Sequence, residues 1–275
     1  MKGIILAGGS GTRLHPCTKV TSKQLLPIYN KPMIYYPLET LLKAGITEVL
    51  IIVSPEHAGD FVNLLGSGKD FGARFFYEVQ DKPEGLAQAF LIGESFIEDE
   101  PVAMILGDNL FEDDISDAVQ SFKKGARIFA KEVEDPQRFG VVEFDGERRV
   151  IRVVEKPQKP KSNYAVTGLY IYDSSVVQKA RSLRPSMRGE LEITDLNQLY
   201  LDEGQLDVAF VEGAWLDTGT FESMYEATCM VRAKELGLGE PTKKRGNKET
   251  RKTIRHRSPS FLVSSFPRSG GLESS

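Results

Sequence analysis

The chain has 275 residues, 40% of them hydrophobic and 27% charged, enough for one large domain or two ordinary ones with a substantial core. No apolar run approaches the roughly 18–20 residues that span a bilayer, and the apolar opening, residues 1–7, is too short for a secretory signal. The net charge of −4 divides into +6 over residues 240–275 and −10 over the rest, an acidic body with a short basic tail that does not resemble a nucleic-acid-binding domain.

Along the first half, apolar runs at residues 2–6, 49–53, 74–78, 102–106 and 127–133 read as strands bounded by Gly, Pro or acidic turns. Between them, residues 33–43, 58–65, 86–96 and 115–124 carry apolar side chains at three- and four-residue spacings, the pattern of amphipathic helices. This alternation predicts an α/β fold with a mainly parallel sheet covered on both faces, and residues 2–6 would be its buried first strand.

In the second half, strands at 141–144 and 150–154 flank the hairpin signal Asp145-Gly146, followed by a strand at 165–172. Helices at 174–182 and 193–202, a strand at 206–211 and a helix at 220–234 complete the pattern. Thr220 would open that last helix, with Glu222 in its first turn. No polar linker separates the halves, so residues 1–236 are expected to form one unit with one extended sheet. From 237 to 275 the chain is basic, low in hydrophobicity and without period, which predicts disorder. Cys17 and Cys229 are too few and too isolated for a disulfide framework or a zinc knuckle, and favour a reducing cytoplasm.

The chemistry begins at Gly8-Gly9-Ser10-Gly11-Thr12-Arg13, three glycines within four positions after a buried strand. Such a loop lets backbone N–H groups approach a phosphate. It is not the dinucleotide fingerprint, since the sixth position counted from Gly9 is Leu14. It is not a Walker loop either: Gly68-Lys69 is followed by Asp70, and Asn63 stands where the first glycine belongs. Lys23 follows Arg13 by ten residues, and Leu25-Leu26-Pro27 beside it would anchor it, so both cations can fold onto one polyphosphate. Asp108 lies just past the strand at 102–106, where open α/β sheets bind ligands, and Asp217 follows the only Trp, Trp215. Two such carboxylates with no Cys/His cluster suit Mg²⁺ over zinc.

Residues 6–14 together with Lys23-Gln24-Leu25-Leu26-Pro27 resemble the signature of sugar-phosphate nucleotidyltransferases. The likeness continues through Lys31-Pro32-Met33, Gln80 with Gly85-Leu86-Ala87-Gln88, Leu106-Gly107-Asp108-Asn109 and Phe139-Gly140-Val141. It runs on through Glu155-Lys156-Pro157 and Gly189-Glu190-Leu191-Glu192 to Trp215-Leu216-Asp217-Thr218-Gly219, covering about residues 1–235 in order. The resemblance implies a three-layer αβα, Rossmann-like fold with a mixed, mainly parallel sheet. Residues 1 to about 135 would handle the nucleotide and about 136–236 the sugar.

The activity implied is Mg²⁺-dependent transfer of a thymidylyl group from dTTP to glucose 1-phosphate, giving dTDP-glucose and pyrophosphate, with no nucleic acid or membrane involved. Deoxysugars such as rhamnose are the usual destination of the product. Carried over residue by residue, Arg13 would neutralise the leaving pyrophosphate, Lys23 would sit by the α-phosphate, and Asp108 and Asp217 would hold the metal. Gly8, Gly11, Thr12 and Gln24 would line the nucleotide, while Gln80 and Gly85 would meet the base. Gly140, Glu155 and Thr167 would hold the sugar, and Lys156 its phosphate. Phe139 stands where many relatives carry Tyr.

The resemblance leaves a homo-oligomer open, but the tetramer and feedback regulation of longer relatives are not carried over. Longer relatives carry C-terminal helices for subunit contacts and a regulatory nucleotide site, and here a basic, irregular segment follows instead. Two alternatives stand beside this reading. One is a transferase for UTP or for another sugar 1-phosphate. The other is a catalytically silent binder of nucleotide sugars, which would have no need of the metal pair.

Overall fold

The computed structural model describes residues 1–238, so nearly all of the tail expected at 237–275 lies outside the described residues. In chain order the first strands are β1 (Lys2–Ala7), β2 (Pro27–Ile28), β3 (Lys31–Pro32), β4 (Glu48–Val53), β5 (Arg74–Val79), β6 (Val102–Leu106) and β7 (Asn109–Phe111). They are followed by β8 (Ala126–Glu132), β9 (Gly140–Phe144), β10 (Val150–Glu155), β11 (Tyr164–Tyr172), β12 (Leu206–Phe210) and β13 (Trp215–Asp217). Nine form one sheet in the order β10-β9-β11-β6-β1-β4-β5, with β8 added on β11 and β12 on β8.

The sheet is mixed and mainly parallel. Strands β10 and β11 run against the direction shared by the other seven. Alternation along β1 sends Ile4 and Leu6 into one core and Ile5 and Ala7 into the other, all four nearly or fully buried. Helices Tyr35–Lys43 and Ala58–Leu65 cover the second face through Leu38, Leu41 and Phe61. Helices Val176–Ser182 and Ile193–Asp202 cover the first through Val176, Val177, Leu196 and Tyr200. These are the three layers the sequence predicts.

One expectation changes. The helix expected at 86–96 is two short pieces, Gln88–Ile92 and Glu94–Ile97, divided at Gly93. A Cβ there would come within 3.1 Å of Leu50 and 3.2 Å of Ile4, so the backbone itself packs against the sheet. The hairpin expected at Asp145-Gly146 joins β9 to β10, and its left-handed residue is Arg148 (φ 61°), with the Asp145 carboxylate accepting from the backbone N–H groups of Glu147 and Arg149, each at 2.9 Å. Two small antiparallel ribbons, β2–β3 and β7–β13, carry no period long enough to read from sequence.

The edge of β11 is interrupted. It meets β9 only at Ala165 and β6 only from Leu169 to Tyr172, so residues 166–168 have no strand partner on that side. The sheet splits there. Ribbon β7–β13 lies next to the split and is backed by the helix Phe221–Glu235, through a small core of Ile28, Met33, Leu110, Ala227 and Val231. Thr220 caps that helix reciprocally with Ser223, and Gly237 ends it in the left-handed conformation (φ 60°). Its N–H bonds Lys234 O at 3.3 Å, and Leu238 N–H bonds Ala233 O at 2.8 Å, the Schellman pattern. No helix among the described residues is long and apolar enough to cross a membrane.

Thr220→Ala should lower unfolding stability by about 1 kcal/mol in denaturant titrations, whereas Thr220→Ser should leave it unchanged. An Ala variant as stable as the parent would show that the cap contributes nothing.

Candidate active site

A cleft of about 440 Å³ opens at the carboxyl ends of the parallel strands and runs onto the split edge of β11. Most of the expected residues meet in it: Arg13, Lys23, Gln24, Gln80, Gly85, Asp108, Gly140, Glu155, Lys156, Thr167 and Asp217. Gly8, Gly11 and Thr12 are not in its wall, and Gly9 is. Gly11 has φ 61°, a conformation only glycine takes cheaply, and its carbonyl accepts from the Thr18 hydroxyl at 2.7 Å. The glycine-rich loop therefore shapes the wall more than it lines it.

One end of the cleft is a knot of opposed charges. Ribbon β7–β13 pairs Asn109 with Asp217, and the carbonyl of Asp108 accepts from the Thr218 N–H at 2.9 Å and the Thr218 hydroxyl at 2.7 Å. Asp217 is thus the last residue of its own short strand, and the ribbon brings the two aspartates together. Burial pushes the Asp217 carboxyl up to about 6, and the Asp108 charge adds to the rise, against the pull of Lys23, Arg13 and Arg138. Burial works on Asp108 in the same sense, but the charge and hydrogen bond of the Lys23 ammonium, with the Asn109 amide, outweigh it and hold that carboxyl below its ordinary range.

Arg13 reaches the same knot. A Cβ on Gly219 would fall 2.5 Å from the Arg13 guanidinium and 3.3 Å from Asp217, so Gly219 provides the bed on which Arg13 lies. The pair Asp108 and Asp217 fits a divalent cation of the hard, oxygen-liking kind. Their mutual repulsion is what an added positive charge would relieve. Among the described residues no third His, Cys, Asp or Glu joins them, which leaves the remaining positions to water and phosphate oxygens, as Mg²⁺ prefers.

Deeper along the wall, Gln80 is 3% exposed and its amide lies against Gly8, where any Cβ would collide with Oε1. Gly85 (φ 106°) permits a close crossing. Its missing Cβ would strike the Leu191 backbone, and Leu191 N–H donates to Glu84 O at 2.7 Å while Ala87 N–H donates to Leu191 O at 3.2 Å. This crossing ties the loop after β5 to the loop before helix Ile193–Asp202.

At the other end Glu155 closes β10, and its carboxylate accepts from the Thr194 hydroxyl at 2.6 Å and from Arg188 at 3.3 Å. Lys156 lies 3.2 Å from the same carboxylate and holds φ 41°, a strained backbone for a side-chain-bearing residue. Thr167, on the unpaired stretch of β11, is 1% exposed, and its hydroxyl has no hydrogen-bond partner among the described residues.

Several residues of the site carry no assignable role from sequence. Asn109 is the hub: its Oδ1 accepts from Trp215 Nε1 at 2.6 Å and Gly168 N–H at 3.1 Å, while its Nδ2 donates to Asp108 at 3.2 Å. Arg188 binds Glu192 through Nη2 at 2.8 Å and stands in the cleft wall with Arg138 and Glu192. Asn109 and Glu192 lie inside the quoted motifs, where order alone gives no contact. Arg138 and Arg188 lie in irregular segments that give no period to read.

A model of the nucleotidyl transferase family matches residues 2–234. Glucose-1-phosphate thymidylyltransferase of Neisseria meningitidis is 54% identical over 240 residues, which span 84% of this chain and 83% of the relative. Among solved structures, a Bacillus anthracis chain assigned to glucose-1-phosphate thymidylyltransferase, in complex with sucrose, superposes with a TM-score of 0.81 at 49% identity. That match covers 84% of this chain and 95% of the other. A UDP-glucose pyrophosphorylase complexed with UDP-glucose gives 0.74 at 28% identity, covering 85% and 98%. With the aspartate pair and the split sheet edge held in one cleft, and with the family match running nearly end to end through the described residues, the chain belongs to the nucleotidyl transferase family.

Proposed function

We propose that the chain joins dTTP and glucose 1-phosphate to give dTDP-glucose and pyrophosphate. The observation that carries this reading is one continuous cleft with different chemistry at its ends. Cations and paired carboxylates meet at one end, and Glu155, Lys156 and the unpaired Thr167 hydroxyl at the other. A phosphate oxygen of the sugar phosphate attacks the α-phosphorus in line, and pyrophosphate leaves. Both phosphates arrive ionised, so the protein needs no general base; its tasks are alignment and relief of charge repulsion.

Arg13, bedded on Gly219, neutralises charge gathering on the leaving pyrophosphate. Lys23 holds the α-phosphate in register, giving up Asp108 to do so. Asp108 and Asp217 would hold Mg²⁺, which supplies further positive charge to the nucleotide phosphates. At the far end Lys156 binds the sugar phosphate, Glu155 accepts from sugar hydroxyls with Thr194 fixing its carboxylate, and Thr167 and the Gly140 backbone complete the sugar wall. Gln80 reads the base edge with Gly85 beside it, and Gln24, Gly8, Gly11 and Thr12 support the loop against which the nucleoside rests. Phe139 stacks edge-on against Trp215 at 5.1 Å between centroids, so it stiffens this wall without offering a hydroxyl. The two unpaired cysteines fit a cytoplasmic setting.

Pyrophosphate release with glucose 1-phosphate and Mg²⁺ should be fastest with dTTP. It should be weaker with UTP by about 10–200-fold, the worth of one methyl in a pocket, and should stop on adding EDTA. No release with any nucleoside triphosphate would overturn the proposal, and equal rates with ATP or GTP would remove Gln80 as the reader. Arg13→Ala should lower kcat by about 10²–10³-fold with an unchanged unfolding midpoint, since Arg13 is exposed and outside the core. A variant with full kcat would take Arg13 out of the chemistry.

A further inference from the structure

The Gln80 amide has two chemically opposite ends, and nothing in Gln80 alone decides which end faces the cleft. Its neighbours decide it. The Glu84 backbone N–H, which can only donate, points at one terminal atom of Gln88 at 3.0 Å, so that atom must be the oxygen. The other terminal atom lies 3.0 Å from the Glu84 carboxylate, which can only accept when ionised, so it must be the nitrogen. Gln88 is therefore fixed at both ends by partners that allow no exchange of roles. Its Oε1 in turn faces Gln80 at 2.7 Å and requires a donor there, the Gln80 Nε2. The Gln80 Oε1 is left over Gly8, where the absence of a Cβ makes room for it, without a hydrogen-bond partner among the described residues.

We infer that Gln88 is a positioning residue that sets base specificity: by locking the Gln80 amide with its oxygen free, it selects bases that present an imide N–H beside a carbonyl and rejects cytosine. This rests on Gln80 being the base reader. Thymine and uracil offer N3–H to the free Gln80 oxygen and O4 to the remaining Gln80 N–H. Cytosine in the same pose offers a lone pair at N3 and an amino group at C4, so each contact becomes donor against donor or acceptor against acceptor. Accommodating it would require the Gln80 amide to turn over, which breaks its bond to Gln88 and leaves two acceptors face to face. Gln88 itself is not in the cleft wall and touches no substrate in this arrangement. The lock does not separate thymine from uracil, whose imide edges are alike.

The test compares kcat/KM for dTTP and dCTP, each with glucose 1-phosphate, across four proteins: the parent, Gln88→Met, Gln80→Met and the double variant Glu84→Gln with Gln88→Glu. In the double variant the carboxylate introduced at position 88 accepts from the same two N–H groups and takes its third contact from the amide introduced at position 84, so the lock is rebuilt with its charge conserved. The dTTP-to-dCTP ratio should fall at least about tenfold in Gln88→Met, chiefly through KM, and return to the parent value in the double variant. A ratio is unaffected by loss of folded protein, so simple destabilisation cannot mimic the result. If Gln80→Met collapses the ratio while Gln88→Met leaves it intact, Gln88 has no such role and the inference is overturned. If Gln80→Met itself leaves the ratio intact, the base reading fails and the inference with it.

Discussion

A buried carboxylate with a half-buried one beside it needs positive charge to meet it, and the arrangement of this cleft follows from that constraint. Asp108 and Asp217 come from distant parts of the chain and are forced together by ribbon β7–β13 and by the two Thr218 contacts to the Asp108 carbonyl. Lys23 answers one aspartate directly. The second carries the residue of the conflict, which is why burial and its neighbour push it up to about 6. The surrounding cations Arg13 and Arg138 soften that conflict without removing it. A site built this way would gain from an added positive charge between the two carboxylates.

Those supports extend well beyond the charged groups. Asn109 joins the Asp108 carboxylate to Trp215 and to the free edge of β11 through one buried amide. Gly85 performs a similar service on the opposite wall by letting two backbones cross within hydrogen-bonding distance. The split in the sheet supplies the space between them. Where β11 passes from β9 to β6, ladder bonding lapses for three residues, and Thr167 turns an unpaired hydroxyl to the gap. Binding sites are commonly placed where regular pairing fails in this way, since backbone and side-chain groups there still have bonds to give.

Much of this is legible in the sequence because it is local. Hydrophobic alternation and helical spacing mark the strands and helices of the main sheet to within one or two residues in most cases, and Thr220 announces its own cap. The segment at 86–96 reads as one continuous helix because its interruption comes from packing of Gly93 against Ile4 and Leu50, residues far away in the chain. The candidate site residues are legible as chemical types in motif order, but their supports are not. Asn109 has three partners, two of them 59 and 106 positions away, and Arg188 reaches Glu155 across 33. Contacts of that range have no signal in spacing. The glycines show the same division: their clustering points to a phosphate loop, whereas the service of Gly8 to Gln80 becomes visible only when the strands are side by side.

The central claim is that the aspartate pair stands in electrostatic conflict until a cation joins it. Titration calorimetry of Mg²⁺ into the free protein near pH 6, in two buffers of different ionisation heat, reads this most directly. With the Asp217 carboxyl near 6, about half a proton should be released per bound ion, and the release should vanish by pH 8 and in Asp217→Asn. Mg²⁺ binding with no proton release near pH 6 would contradict the account, because the pair would then already be fully ionised without the metal.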